Sequence, residues 1–152
     1  MAKIEDEIKS SFRSVYEKLR VNLQLTYIRL GDEMQQQFKQ YDVTSTQYNV
    51  LRILRGQHQK PVSIGLIKER MIDRNSDASR IVDRLAKKGL VSRTENKIDR
   101  RQKDIIISDE GLKLLSQMDS IMLNIDDRLG HLSKKEAESL NDLLDKLRSG
   151  NE

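Results

Sequence analysis

A chain of 152 residues is long enough for one cored domain and too short for two of ordinary size. Charged residues make up 34% and aromatics only 4%, with no Trp, which suits a helical protein with an aliphatic core better than a β-sandwich. The absence of cysteine excludes disulfides, cysteine-based zinc sites and thiol redox sensing.

The opening stretch MAKIEDEIKSSF is charged and has no apolar run of a secretory leader, and nothing further on approaches the ~20 apolar residues of a membrane span. The expected location is the cytoplasm of a bacterium or archaeon. Ile8, Phe12, Val15, Leu19, Leu23, Leu30, Met34 and Phe38 then step by three, four or seven. That spacing predicts one long amphipathic helix over 8–38, roughly 45 Å long, with Gly31 as a candidate bend. Thr44 with Gln47 has the form of a capping box, opening a helix that turns Val50, Leu51 and Leu54 inward. Gly56 to Pro61 reads as a loop. Ser63 is placed to cap a short helix through Leu66, Ile67 and Met71, and Ile72 to Asn75 form a turn.

The segment NSDASRIVDRLAKKG puts Ala78, Ile81, Val82 and Leu85 on one buried helix face. Asp77, Arg80, Arg84, Lys87 and Lys88 take the other face, and Gly89 ends the helix where a left-handed residue is needed. LVSRTENKIDRRQKDIII continues as a strand, a polar tip with Arg100 and Arg101, and a second strand rich in β-branched residues. Two short helices joined by a tight turn, the second basic and followed by a ribbon, make a winged helix-turn-helix. A ribbon with two arginines at its tip suits the phosphate backbone or minor groove of duplex DNA. Residues 68–103 hold twelve Lys/Arg against six Asp/Glu, while the remainder of the chain is slightly acidic. A charge run alone is usually a solvated face, but this one coincides with a motif of matching geometry.

Ser108 is placed to cap the next helix, whose stripe is Leu112, Leu115, Met118, Ile121, Met122 and Ile125. Ser133 and Glu136 form a second capping box before Ala137, Leu140, Leu144 and Leu147. The expected fold is mainly α with a small β-wing, one domain over 1–152. Its DNA-binding lobe would span 44–111, and the long helices at 8–38 and 112–148 would pair with a second copy of the chain. Intramolecular core explains part of those terminal stripes, but a small central lobe leaves both under-covered.

With these pieces in place, the chain resembles the multiple antibiotic resistance regulator (MarR) family of transcription factors. The likeness rests on TSTQYNVLRIL at 44–54, SRIVDRLAKKGLVSR at 79–93 and DRRQKDIIISDEGLKLL at 99–115. It implies a homodimer that represses genes from pseudo-palindromic operators. It also implies that Arg80 is the main base-reading side chain, and that Arg101 enters the minor groove with Asp99 holding it. The DNA-facing set is expected to comprise Asn75, Ser76, Asp77, Ser79, Arg80, Arg84, Lys87, Lys88, Asp99, Arg100 and Arg101. Two departures from the family pattern stand out. The turn IDRNSD carries Arg74, Asn75 and an acidic Asp77, a local choice bearing on operator preference, and Ser108 replaces a more usual Thr.

No cofactor and no metal site is expected. His58 and His131 stand apart from each other, the carboxylates form no convergent acid–base pair, and there is neither a phosphate loop nor a nucleophile triad. The chain is therefore not read as an enzyme. The family resemblance implies a small-molecule effector of unassigned identity in a crevice beside the dimer helices, for which Tyr16, Tyr27, Tyr41, Tyr48, Arg29 and Arg52 are candidates. Two other readings stay open on the residues: a winged-helix protein–protein adaptor without DNA binding, and a chromosome-coating protein without sequence preference. An adaptor would be expected to have lost Arg80, Arg84, Arg100 and Arg101, and all four are present.

Overall fold

The computed structural model describes residues 3–58, 60–96 and 103–150. Its elements in chain order are α1 (Ile4–Ile8), α2 (Val15–Lys39), α3 (Ser45–Arg55), α4 (Ile64–Arg70), α5 (Ala78–Lys87), β1 (Val91–Glu95), β2 (Lys103–Ile107), α6 (Asp109–Arg128) and α7 (Lys134–Ser149). A short 3-10 turn, Leu129–His131, separates the last two helices. The fold is mainly helical, and its one sheet among the described residues is the antiparallel pair β1–β2.

The single long N-terminal helix expected from periodicity is instead two. Lys9 takes a left-handed conformation (φ 50) and ends α1 after five residues. Ser14 then starts α2, its hydroxyl accepting from the Glu17 N–H at 3.1 Å. The Glu17 carboxylate accepts in turn from the Arg13 N–H at 2.7 Å. Ser14 and Glu17 have the spacing of a helix-start signature, and this local bonding outweighs the continuous apolar stripe. Ion pairs from Glu5 to Lys18 (2.6 Å) and from Glu7 to Arg29 (2.5 Å) tie α1 to α2. The second helix runs unbroken through Gly31 to Lys39.

The other expected helix starts are present. Thr44 and Gln47 bond reciprocally, Ser63 accepts from the Leu66 N–H, and Ser133 with Glu136 completes the second capping box. Val50, Leu51 and Leu54 of α3 are buried, with Ile67, Met71, Ala78, Val82, Leu85, Val91, Ile105 and Ile107 around them. Phe38, at the end of α2, packs its ring 4.9 Å from that of Tyr48. Leu115 and Met118 of α6 lie in the same core, so the first half of that helix belongs to the central lobe as well as to the long C-terminal stripe. Arg55 fixes it there with a two-pronged bond to Asp119, at 2.9 and 3.0 Å.

The wing joins the lobe at its base. Val91 pairs with Ile107 and Glu95 with Lys103. Val62 adds a bridge to Ile105 through two backbone bonds of 3.0 and 2.9 Å. Gly89, at φ +71, makes the turn from α5 to β1, where a side chain would strain the backbone. Ser108 locks that turn onto α6: its N–H donates to the Leu90 carbonyl, its hydroxyl donates to the Gly89 carbonyl at 2.7 Å, and the same oxygen accepts from the Gly111 N–H. The Ser-x-x-Gly pair thus serves one joint, with the serine making its bonds and the glycine leaving room for the Leu90 carbonyl.

Two surfaces remain uncovered. No residue of α7 is buried. Val15, Tyr16, Leu19, Tyr27 and Ile28 of α2 and Leu123 of α6 are also exposed. Among the described residues no helix is long and apolar enough to cross a membrane.

Candidate nucleic-acid interface

The turn between α4 and α5 is held by side chains from both sides. The Asp73 carboxylate accepts from the Asn75 N–H at 3.0 Å and from the Ser76 hydroxyl at 2.5 Å. Asn49 of α3 accepts from the Ile72 N–H at 3.1 Å, anchoring the start of the turn to the core. The Ser76 hydroxyl, followed by the Asn75 N–H, holds the Asp73 carboxyl below the usual carboxylate range. A depressed folded-state pKa means stability present above the ordinary carboxyl pKa of about 3.9 and lost as pH falls through the lowered value. Ser76→Ala is therefore expected to move the Asp73 titration upward, which an NMR titration of its carboxyl carbon would detect. An unchanged midpoint would contradict this account of the turn.

The helix that follows is sharply two-faced. Ala78, Val82 and Leu85 are buried and Ile81 is half-buried, while Ser79, Arg80, Arg84 and Lys87 are exposed. Arg80, Arg84 and Lys87 stand at i, i+4 and i+7, so three cations share the face turned from the core. Asp77 does more than sit on that face. It is the N-cap, accepting from the Arg80 N–H at 3.1 Å, and its second oxygen lies 3.4 Å from the Arg80 side chain. Asn75 is exposed on the turn, and Ser76 is half-buried with its hydroxyl engaged.

Lys88 departs from the cationic face. Its ammonium donates to the Asp42 carbonyl and pairs with the Asp42 carboxylate, in the turn between α2 and α3. Asp42 itself is left-handed at φ 52. Lys88 thus ties the end of α5 to the end of α2. On the wing, Arg93 of β1 pairs with Asp83 of α5. Lys103 bonds across the strands to Glu95 at 3.0 Å, and the Asn96 amide donates to Asp104 at 2.9 Å. Asp99, Arg100 and Arg101, expected at the wing tip, lie outside the described residues. The Asp83–Arg93 and Lys88–Asp42 contacts carried no signal in the sequence, because neither falls at a helical or cross-strand spacing.

A family model for the MarR family matches residues 43–103, from the start of α3 to the start of β2. Beyond that segment, the chain is 32% identical to the MarR transcription factor of Planctomyces limnophilus, whose crystal structure superposes with a TM-score of 0.70. That match covers 89% of this chain and 98% of the other. The chain belongs to the MarR family. Members of this family are transcriptional regulators rather than enzymes. The chain is also 34% identical, over 93 residues, to the HTH-type transcriptional repressor MdtR of Bacillus subtilis. The aligned stretch is 61% of this chain and 59% of MdtR. The Staphylococcus aureus MepR–DNA complex shares the MarR fold at a TM-score of 0.77, with 24% identity over 92% of this chain and 99% of that one.

In this MarR-family chain a crevice of about 1020 Å³ separates α2 from the α3–α5 lobe. Tyr27, Ile28 and Gly31 line it on the α2 side, and Thr44, Arg84 and Lys88 on the lobe side. Of the residues expected at an effector site, only Tyr27 is among its lining. Tyr48 is in the core, where burial pushes its phenol pKa up, and Arg52 lies 5.9 Å from its ring centre. Tyr41 packs half-buried on the core, Arg29 pairs with Glu7, and Tyr16 is exposed elsewhere on α2. His58 sits in a turn and His131 in the 3-10 segment. Among the described residues no group of three or more His, Asp or Glu is placed to hold a metal ion.

Proposed function

We propose that this MarR-family regulator is a homodimeric repressor that binds a pseudo-palindromic stretch of duplex DNA and leaves it when a small ligand enters the crevice beside α2. The observation carrying this reading is the exposed face of α5, where Arg80, Arg84 and Lys87 project from a helix whose other face and leading turn are locked to the core. A rigidly mounted cationic helix of three turns is what the major groove admits. In this reading Arg80 reads base edges with Asp77 steadying its guanidinium. Asn75, Ser79, Arg84 and Lys87 then position the helix on bases and phosphates. Lys88 holds the lobe to α2. At the wing, Arg101 enters the minor groove with Asp99 beside it, and Arg100 meets the backbone.

The uncovered apolar surfaces of α2, the end of α6 and α7 support the second subunit. The lobe over 44–111 would then read DNA, while the helices on either side hold the two copies together. Repression is supported by likeness to the B. subtilis repressor, and DNA binding by the shared fold with the S. aureus protein in complex with DNA. The crevice suits a ligand that changes the angle between lobe and dimer helices, because the Lys88–Asp42 tie crosses it.

Selection of binding sites from random duplexes tests the reading. It is expected to converge on an inverted repeat with half-site centres about one helical turn apart. On that site Arg80→Ala should cost about 1–3 kcal/mol and flatten preference at one base position per half-site. Retention of random duplexes without any consensus would sink the proposal. Unaltered base preference in the variant would move the reading role to another side chain of α5.

A further inference from the structure

We propose that the Asp83–Arg93 ion pair is a positioning device that sets the angle between α5 and the wing, so that helix and ribbon read one stretch of duplex as a single piece. The proposal rests on the DNA-binding reading above. Asp83 stands on α5 one residue before Arg84 and three after Arg80, on the half of the helix away from the buried stripe. Arg93 is the third residue of β1, a strand in which only Val91 is buried. Among the described residues theirs is the one ion pair joining α5 to the ribbon.

The remaining contacts show why that matters. The ribbon is anchored at its base, by Val91, Ile105 and Ile107 in the core and by the Ser108 bonds to the Gly89–Leu90 turn. Further out, Glu95–Lys103 and Asn96–Asp104 stiffen the ribbon internally but do not reach α5. A ribbon held only at its base can pivot there, and a small rotation becomes a larger displacement at its far end. Arg93 stands opposite Ile105, so Asp83–Arg93 holds the β1 edge to α5 at the outermost anchored rung, where Val62 holds the β2 edge.

The charge of Asp83 points the same way. A carboxylate among Arg80, Arg84 and Lys87 opposes phosphate, and on Coulomb attraction alone its removal should tighten DNA binding. Both partners are also partly exposed, at 46% and 35% of their side-chain surface, where an ion pair contributes little to folding. An acidic group unfavourable for DNA attraction and of little use to the fold is accounted for by its hold on Arg93.

The experiment compares Asp83→Ala, Arg93→Ala and the exchanged pair (Asp83→Arg with Arg93→Asp) on the selected duplex and on versions altered in the centre or flanks of each half-site. Both single variants are expected to bind on the order of tenfold more weakly, the size of one spoiled base-pair contact. They should lose discrimination among flanks while keeping it at the bases under α5, and the exchanged pair should recover most of both. Asp83→Ala binding as tightly as the parent or more so, with only Arg93→Ala weakened, would overturn the proposal and make Arg93 a simple phosphate contact. A second measurement needs no DNA. Residual dipolar couplings of the free protein should show β1–β2 rotated relative to α5 in Asp83→Ala and returned in the exchanged pair. An unchanged orientation would overturn the proposal. A parent that selects no duplex would defeat the DNA-binding reading alone, and the couplings would still decide the role of the pair.

Discussion

A glutamate in place of Leu140 or Leu147 is expected to leave the protein without a stable dimer and to reduce DNA affinity by at least a hundredfold. Both leucines lie on α7, with exposures of 44% and 47%, and Leu143 beside them is exposed at 63%. The helix is 16 residues long and well capped by Ser133 and Glu136, yet no residue of it is buried and only Ala137 and Leu144 are half-buried. An isolated helix of that length is marginal in water, so its apolar face needs cover. Burial of one leucine stabilises by roughly 1.5–3 kcal/mol, and a two-fold interface uses each residue twice. Replacing that gain with two buried carboxylates costs more still. Loss of the dimer separates the two reading heads, and with them goes the effective concentration that makes the second half-site contact intramolecular. Sedimentation equilibrium at micromolar concentration reads the outcome: a dimer for the parent and a 17.7 kDa species for the variant. A monomeric parent, or a variant that stays dimeric, would remove α7 from the subunit interface.

Gly111→Ala is expected to be the most damaging single-methyl change in the lobe. A Cβ at this position would lie 2.3 Å from the Leu90 carbonyl oxygen and 2.8 Å from Cγ1 of Ile107. The first of these is backbone and cannot swing aside. Overpacking of this kind costs roughly 1–3 kcal/mol where neighbours can yield, and a backbone contact puts this site at or above the upper end. Relief requires α6 to draw back from the Gly89–Leu90 turn, which would stretch both Ser108 bonds. Because that turn joins α5 to β1, the loss should reach DNA reading as well as stability. Urea unfolding gives the first and binding to the selected duplex the second. A stability within about 0.5 kcal/mol of the parent would mean that α6 and the turn separate more easily than their contacts suggest.

The local elements were legible because their causes are local. Four of the expected helix starts are serine or threonine caps whose bonds reach only three residues along the chain, so Thr44, Ser63, Ser108 and Ser133 could be recognised without the fold. Gly89 was legible for the same reason, as a left-handed residue following a basic last turn. The split near Ser14 was also written locally, in Ser14 and Glu17, but an apolar stripe that ran on through it suggested one helix. Periodicity reports which residues could share a face and is silent on whether the backbone stays continuous between them.

By itself the sequence determined the order and faces of the helices from α3 onward, the winged helix-turn-helix and the cationic face of Arg80, Arg84 and Lys87. These follow from backbone geometry repeating every 3.6 or two residues. Only the tertiary structure decided which charges remained on that face. Lys88 is drawn to Asp42 and Asp83 to Arg93. It also decided that Leu115 and Met118 join the lobe core, while no residue of α7 becomes buried. Partners 46 residues apart, as Asp42 and Lys88 are, meet only because the whole lobe brings them within reach. An ion pair of that kind depends on distance in space, and spacing along the chain holds no record of it.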